Sequence, residues 1–150
     1  MTITQKCQYA LRAIFELARQ AGKGPVKIED IARAQAIPAR FLETILNQLR
    51  QVGFVASRRG VQGGYLLAVD PAKLTAGQVI RLIDGPFRAV DCVVGGGAEC
   101  PLKKTCAFKQ MWHEADHAIA SVFDKTTFQT LLGRSRRRRT RRPSRARRGA

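Results

Sequence analysis

The 150-residue sequence predicts a mainly α-helical protein with one small β-hairpin and a long helix near its C-terminus. Apolar residues recur at three- and four-residue steps through most of the first 133 residues, which is the period of a helix with one buried face. Two short runs of strand-forming residues flank a turn rich in glycine and arginine, a pattern typical of a hairpin. A final apolar series covers residues 107–124.

Length and composition fit one domain with appendages, and the 45% of hydrophobic residues suffices for a core. No run approaches the ~18 apolar residues that a membrane-spanning helix needs. Residues 1–6 lack the apolar stretch of a secretory signal, so we expect a cytoplasmic protein without a membrane part. In that reducing compartment, four cysteines favour metal binding or redox chemistry over disulfides.

The net charge of +16 indicates a polyanionic partner, and nucleic acid is the first candidate. Residues 134–150 contain ten arginines and no acidic residue, whereas residues 1–133 carry 17 basic and 11 acidic residues, a net charge of +6. Like charges without large apolar residues cannot build a core, so we predict a disordered tail over 134–150.

The first two helices are predicted from apolar stripes over residues 4–20 and 27–34. Gly22 and Pro25 lie in the segment that ends the first helix. The inward residues are Ala10, Leu11, Ile14, Leu17 and Ala18 in the first helix, and Ile28, Ile31 and Ala32 in the second.

The third helix, over 38–51, carries a polar stripe opposite an apolar one. Arg40, Glu43, Thr44 and Asn47 fall at i, i+3, i+4 and i+7, and such a stripe suits the reading of base edges in a major groove. The face predicted to be buried consists of Phe41, Leu42, Ile45, Leu46, Leu49 and Val52.

A hairpin follows, with strands over 54–57 and 65–68 around the turn 58–64. Helix, turn, helix and hairpin is the order of a winged helix-turn-helix, which places its second helix in the major groove of double-stranded DNA. Arg58 and Arg59 at the hairpin tip would then lie along the DNA backbone or in the minor groove.

The C-terminal part is predicted to contain a helix over 76–84, a loop, a long helix over 107–124 and a short element over 126–132. The long helix has an a/d-like seam that we expect to pair with its copy in a homodimer. The seam consists of Phe108, Met111, Trp112, Ala115, Ala118, Ile119 and Val122. The predicted segments are a winged helix-turn-helix domain (1–85), a cysteine-bearing loop (86–106), a dimerisation helix with its closing element (107–133) and the Arg-rich tail (134–150).

Cys92, Cys100 and Cys106 lie within fifteen residues, in the spacing C-x7-C-x5-C with glycines between them. A loop lets thiolates converge, and three soft ligands without a close pair suit an iron–sulfur cluster better than a zinc knuckle. Three structural thiols are the alternative, and the spacing leaves both open. The fourth ligand is unknown, and the candidates are Cys7, Gln8, Glu99, His113 and His117.

At this point the sequence resembles a known family, the iron–sulfur winged-helix regulators of bacteria typified by the cluster-assembly repressor IscR and the nitric-oxide-sensing repressor NsrR. The resemblance covers about residues 2–132 and combines a wing motif with the three loop cysteines. The segments that carry it are Tyr9-Ala10-Leu11-Arg12, Phe41-Leu42-Glu43, residues 49–55 and the wing residues 59–67.

The resemblance implies a homodimer on a roughly palindromic operator. It also implies a [2Fe–2S] or [4Fe–4S] cluster on Cys92, Cys100 and Cys106, whose loading or damage changes DNA binding. By match to the family motif, the residues that contact DNA are Arg40, Glu43, Thr44, Arg59 and Gly60.

The chain departs from the family at the fourth cluster ligand. The family uses a His three residues after the last cysteine, or an Asp in the first helix. Lys109 and Gln8 hold those positions here, so the sequence leaves the cluster type and the sensed signal open.

Two other functions stay open. The same DNA-binding module could carry zinc, or a cluster-free switch that acts through thiols or a partner protein. A nucleoid or RNA-binding protein driven by the Arg-rich tail is the third hypothesis. An enzyme is not expected, because no catalytic constellation can be assembled and the glycine-rich segment 60–64 lies between two strands rather than opening a helix.

Overall fold

A computed structural model describes residues 2–90, 101–102 and 104–140, the side chains of 138–140 excepted. Along these residues it contains six helices and a two-stranded antiparallel hairpin, which confirms the predicted mainly α-helical class with a wing. The elements are α1 (Gln5–Arg19), α2 (Ile28–Gln35), α3 (Ala39–Gln51), β1 (Val55–Arg58), β2 (Gly64–Leu67), α4 (Ala76–Asp84), α5 (Lys109–Lys125) and α6 (Phe128–Thr140).

Helix α1 is the centre of the core and packs against α2, α3, α4 and α6. Thr4 caps its start by accepting a hydrogen bond from the backbone N–H of Cys7. The predicted apolar stripe of α1 faces inward, with Ala10 and Ile14 fully buried. Ala13 and Leu17 of α1 belong to the same buried cluster. The residues of the other helices in this cluster include Ile31, Leu42, Ile45, Leu46, Leu49, Val79 and Phe128.

Helices α2 and α3 form the helix-turn-helix. Ala36 adopts a left-handed conformation (φ 51°) directly after α2, and Pro38 immediately precedes α3. The predicted buried face of α3 is correct at its centre but wrong at its edge, because Phe41 and Val52 are 44% and 46% exposed. These two residues are eleven positions apart, about three helical turns, so they share one rim of the apolar face.

The wing is the hairpin of β1 and β2, in which Val55 pairs with Leu67 and Arg58 with Gly64. Val26 joins this hairpin through two backbone hydrogen bonds with Tyr65, of 2.9 and 2.8 Å. A side chain at Gly64 would meet the backbone of Val26, and Gly64 has φ 151°, so glycine permits the close approach.

Helices α4 and α5 pack on each other. A capping box of Thr75 and Gln78 starts α4, and Arg81 of α4 forms two hydrogen bonds of 2.6 Å with Asp124 of α5. The pKa of Asp124 is lowered mainly by hydrogen bonding to Arg81. All of α5 is described, and none of its side chains is fully buried. In the described part of the chain, no helix combines the length and apolar character needed to cross a bilayer.

Helix α6 corrects the predicted start of the tail. The sequence predicted a short element over 126–132 and disorder from residue 134, whereas the structure continues the helix to Thr140. Phe128 and Leu132 are buried and hold its first turns on the core. Arginine is a good helix former, so a helix already begun by packing can extend through the following arginines. Residues 141–150 of the predicted tail lie outside the described residues.

Candidate nucleic-acid interface and cysteine-bearing loop

The polar stripe of α3 faces away from the core. Arg40, Glu43 and Thr44 are exposed, and Asn47 is half-buried. Their exposure follows from the opposite side of the helix, where four aliphatic residues anchor α3 to α1. The helix therefore presents one cation, one anion and one hydroxyl to an approaching partner, and these groups can read the edges of base pairs.

A stack of two aromatic rings with a guanidinium group at each end connects α1 to the start of α3. The rings of Tyr9 and Phe41 lie 6.0 Å apart between centroids. The Arg40 guanidinium lies 4.7 Å from the Phe41 centroid, and that of Arg12 lies 5.9 Å from the Tyr9 centroid. The Phe41 ring is thus partly exposed to solvent but is in contact with Tyr9 and Arg40, and it restrains the Arg40 side chain. This stack was not predicted from the sequence, because the helical period of Phe41 assigns its side chain to the core.

The wing tip carries the other predicted contacts. Arg58, Arg59 and Gly60 are exposed, and Gly60 has φ 106°, a conformation that glycine adopts without strain. The Arg50 guanidinium donates a 3.2 Å hydrogen bond to the Ser57 hydroxyl. This bond connects the end of α3 to β1 and so helps to fix the position of α3 relative to the wing.

Beside the wing lies a basic cleft of about 520 Å³ that the sequence analysis did not identify. The turn between α1 and α2 contributes Lys23 and Lys27, and the wing contributes Arg58 and Arg59. Asp30 also lines the cleft, and its carboxylate accepts a 3.3 Å hydrogen bond from Arg33. Lysines and arginines gathered beside a wing suit contact with phosphates.

The cysteines are only partly within the described residues. Cys92, Cys100 and Glu99 lie outside them. Cys106 is half-buried, is not in a disulfide, and lies three residues before α5. A thiol with this partial exposure has the donor chemistry that iron and zinc prefer. Within the residues that the structure describes, no three His, Cys, Asp or Glu side chains are grouped to hold a metal.

Cys7, a candidate for the fourth cluster ligand, is a core residue. It has no exposed surface and packs with Ile80 and Phe87. Burial raises the pKa of its thiol to about 12, with a further contribution from the charge of Asp84. A thiol in this state is neutral and enclosed, which argues against Cys7 as the fourth cluster ligand.

Both described ends of the cysteine-bearing loop lie against or next to α5. The Ala89 N–H donates a 2.5 Å hydrogen bond to the half-buried Asp116 of α5. At the other end, the backbone N–H of Lys109 donates to the Cys106 carbonyl as α5 begins. The other ligand candidates are Gln8, whose amide donates to the Ile3 carbonyl, and His113 (half-buried) and His117 (exposed) on α5.

Comparison with known proteins decides the family. The sequence pattern of the Rrf2 family, described as an iron-dependent transcriptional regulator, matches residues 3–134. The chain belongs to the Rrf2 family. It is 34% identical to the transcriptional regulator CymR of Bacillus subtilis, over 87% of this chain and 89% of that protein. It is 33% identical to the regulator IscR of Photobacterium profundum, over 88% of this chain and 76% of that protein.

Solved structures of Rrf2 proteins share the fold. The structure of CymR, the global cysteine regulator of B. subtilis, matches with a TM-score of 0.75 at 33% identity, covering 89% of this chain and 97% of that one. The structure of T. potens IscR matches with a TM-score of 0.77 at 28% identity, covering 95% and 94%. The resemblance seen in the sequence and the winged-helix class are therefore confirmed.

The Rrf2 relatives are named as transcriptional regulators, and the expectation that the chain is not an enzyme is confirmed on that ground. The chain is a DNA-binding transcriptional regulator of this family. The assignment of individual residues to DNA contacts or to a cluster stays a prediction.

Proposed function

We propose that the chain is a homodimeric regulator that binds a roughly palindromic operator and senses iron–sulfur, redox or nitric-oxide status through a cluster on Cys92, Cys100 and Cys106. The exposed polar stripe of α3, held beside a basic wing, is the observation that carries the DNA-binding part. Because operator DNA is the proposed target, we expect the protein in the cytoplasm.

Arg40, Glu43 and Thr44 read base pairs in this proposal, and Arg58, Arg59 and Gly60 contact the backbone or the minor groove. Glu43 accepts hydrogen bonds from bases, and each well-made base contact discriminates by about 1–3 kcal/mol. The wing arginines contribute affinity with little sequence preference.

The apolar seam of α5 supports the homodimer. Phe108, Met111 and Val122 are 62%, 47% and 64% exposed, which is unusual for large apolar residues along one helix. A second copy that packs on this seam would remove them from water, and a two-fold dimer presents two recognition helices to two half-sites.

The signal would pass through the same helix. A cluster, when bound, would supply the redox chemistry, and the loop that would hold it is tied near its start to α5 by the bond from Ala89 to Asp116. Binding of a cluster by this loop would therefore bias the position of α5 and, through the dimer, the spacing of the two α3 helices. The second candidate is the same DNA-binding module with zinc, or with a cluster-free switch that acts through thiols or a partner protein; one relative, CymR, is named as the global cysteine regulator of B. subtilis.

Iron and acid-labile sulfide counts after anaerobic purification test the cluster. We expect a coloured protein, with colour lost in Cys106→Ala and retained in Cys7→Ala, since Cys7 is enclosed in the core. Absorbance would separate [2Fe–2S] from [4Fe–4S]. A colourless wild-type protein with zinc or no metal would favour the second candidate.

Base preference tests the recognition helix. Glu43→Ala should change which operator variants are bound, by about 5- to 150-fold at the positions that Glu43 reads. Glu114→Ala removes the same charge from an exposed position on α5 and should leave the preference unchanged. A Glu43→Ala protein that loses affinity equally on all sequences would contradict a reading role.

A further inference from the structure

The basic surface beside the wing continues onto α6. A second cleft, of about 320 Å³, is lined by Phe15, Arg19 and Lys23 on the α1 side and by Ser135 and Arg136 of α6. Lys23 also lines the basic cleft beside the wing. One lysine thus borders both clefts, so the cleft at α6 and the cleft beside the wing meet at Lys23.

Helix α6 presents its charges from a fixed position. Its first turns are held by the buried Phe128 and Leu132, and Arg134, Arg136 and Arg137 follow on exposed positions. The helix runs eight residues beyond Leu132 to Thr140, a projection of about 12 Å at the α-helical rise. The arginines in this part of the chain are therefore carried on a helix and not on a loose segment.

The chemistry of this surface fits phosphate. Lys23 and Lys27 are cations of the α1–α2 turn, and Arg136 lines the cleft that Lys23 also borders. Arg134 and Arg137 lie on other sides of the same helix, so the exposed arginines surround this part of α6. No large apolar side chain is exposed over the described residues of α6, so the surface lacks what a membrane or a protein groove would require.

We propose that the exposed arginines of α6, with Arg136 beside Lys23 and with Arg134 and Arg137 on the same helix, bind the phosphate backbone of duplex DNA that flanks the operator. The proposal rests on the proposed function, because the wing must first be seated on the operator. Its consequence is a longer DNA footprint: flanking sequence adds affinity without adding sequence preference.

The test compares two duplexes with the full-length protein by fluorescence anisotropy at several salt concentrations. One duplex is the operator as delimited by selection in vitro, and the other adds about one helical turn (~10 base pairs) of arbitrary sequence on each side. The variant carries Arg134→Gln, Arg136→Gln and Arg137→Gln, which keeps good helix formers. The matched control carries Lys6→Gln, Lys73→Gln and Lys125→Gln, which removes three charges from exposed positions that line neither cleft.

Wild-type protein should bind the extended duplex more tightly. The slope of the logarithm of the binding constant against the logarithm of the salt concentration should be steeper by up to about 5, because three arginines per chain contact six phosphates per dimer. The variant should lose this gain, while the control retains it. Equal affinity and slope on both duplexes, or a variant that behaves like the control, would overturn the proposal. Loss of binding to vesicles of anionic phosphatidylglycerol, with no loss on the extended duplex, would also overturn it and assign the surface to membranes.

The two levels of failure are distinguishable. If wild-type protein shows no sequence preference on the short duplex, the proposed operator binding itself is wrong. If it binds the short duplex specifically but gains nothing from flanking DNA, only the role of α6 is wrong.

Discussion

Glu16 is the one charged side chain that the described part of the chain buries, with 2% of its surface exposed. Its carboxylate accepts hydrogen bonds from Arg19 at 2.8 Å, Gln20 at 3.0 Å and Gln35 at 2.9 Å. Gln35 is the last residue of α2, so this carboxylate joins α1 to the first helix of the helix-turn-helix. We predict that Glu16→Ala destabilises the fold and loosens the placement of α2.

The expected loss is about 2–3 kcal/mol. The two amide hydrogen bonds contribute about 1 kcal/mol each after exchange with water. The ion pair adds less than about 1 kcal/mol, since the Arg19 side chain is 42% exposed and is screened by solvent. For a chain of this size, the melting temperature should fall by about 4–12 °C.

Urea unfolding at one protein concentration measures this loss, because dimer stability depends on concentration. Glu29→Ala, at an exposed position of α2, is the control and should change stability by less than about 0.5 kcal/mol. If both variants unfold at the same urea concentration, the buried carboxylate does not stabilise the fold.

The same carboxylate predicts a pH dependence. Burial alone would raise the pKa of Glu16, but the hydrogen bonds from Arg19, Gln20 and Gln35 and the Arg19 charge outweigh it and lower the pKa. A folded pKa below the unfolded value gives stabilisation that is present above the ordinary value of 4.5 and is lost as pH falls through the folded pKa. The stability difference between wild type and Glu16→Ala should therefore shrink on acidification.

Three further predictions concern the aromatic stack, the wing and the buried thiol. Phe41→Leu removes the ring beneath Arg40, so discrimination at the base pair that Arg40 reads should weaken by about 2- to 5-fold in competition binding; unchanged discrimination would mean that Arg40 needs no support. Gly64→Ala should lower the free energy of unfolding in urea by more than about 1 kcal/mol, because the new methyl group meets the backbone of Val26. The control Gly133→Ala in α6 should be neutral or should raise it by up to about 1 kcal/mol. The reverse order would contradict the close approach at the wing. Cys7 should resist thiol labelling in the folded protein and react after unfolding, as followed by mass spectrometry, and equal labelling rates in both states would refute its enclosure.

Local signals in the sequence are sufficient for most element boundaries. The helix predicted over 76–84 has those bounds in the structure, since Thr75 caps its start and Gly85 follows its end. Each predicted strand end differs by one residue from the end in the structure. The ends of the first three helices also differ by one residue, except the end of α3, which is as predicted. Periodicity and capping are properties of neighbouring residues, so they can be read without knowing what packs against them.

Features at the edge of a packed surface could not be predicted in the same way. Phe41 has the period of a core residue, but at the rim of the α3 face it lies against the half-buried Tyr9 of α1 and the Arg40 guanidinium, and 44% of its surface stays exposed. Similarly, the charge of the Arg-rich segment predicted disorder, while the burial of Leu132 just before it allows α6 to continue. In both cases a contact distant in sequence overrode the local pattern.

The amino-acid sequence thus accounts for the fold class, the exposed polar stripe of α3 and the family, because each depends on local periodicity or on a contiguous motif. It does not reveal that Glu16 is buried, that Cys7 is enclosed behind Phe87, or that Lys23 borders both the wing and α6. Each of these depends on residues brought together from separate elements, and burial, pKa and charge continuity arise from that three-dimensional proximity.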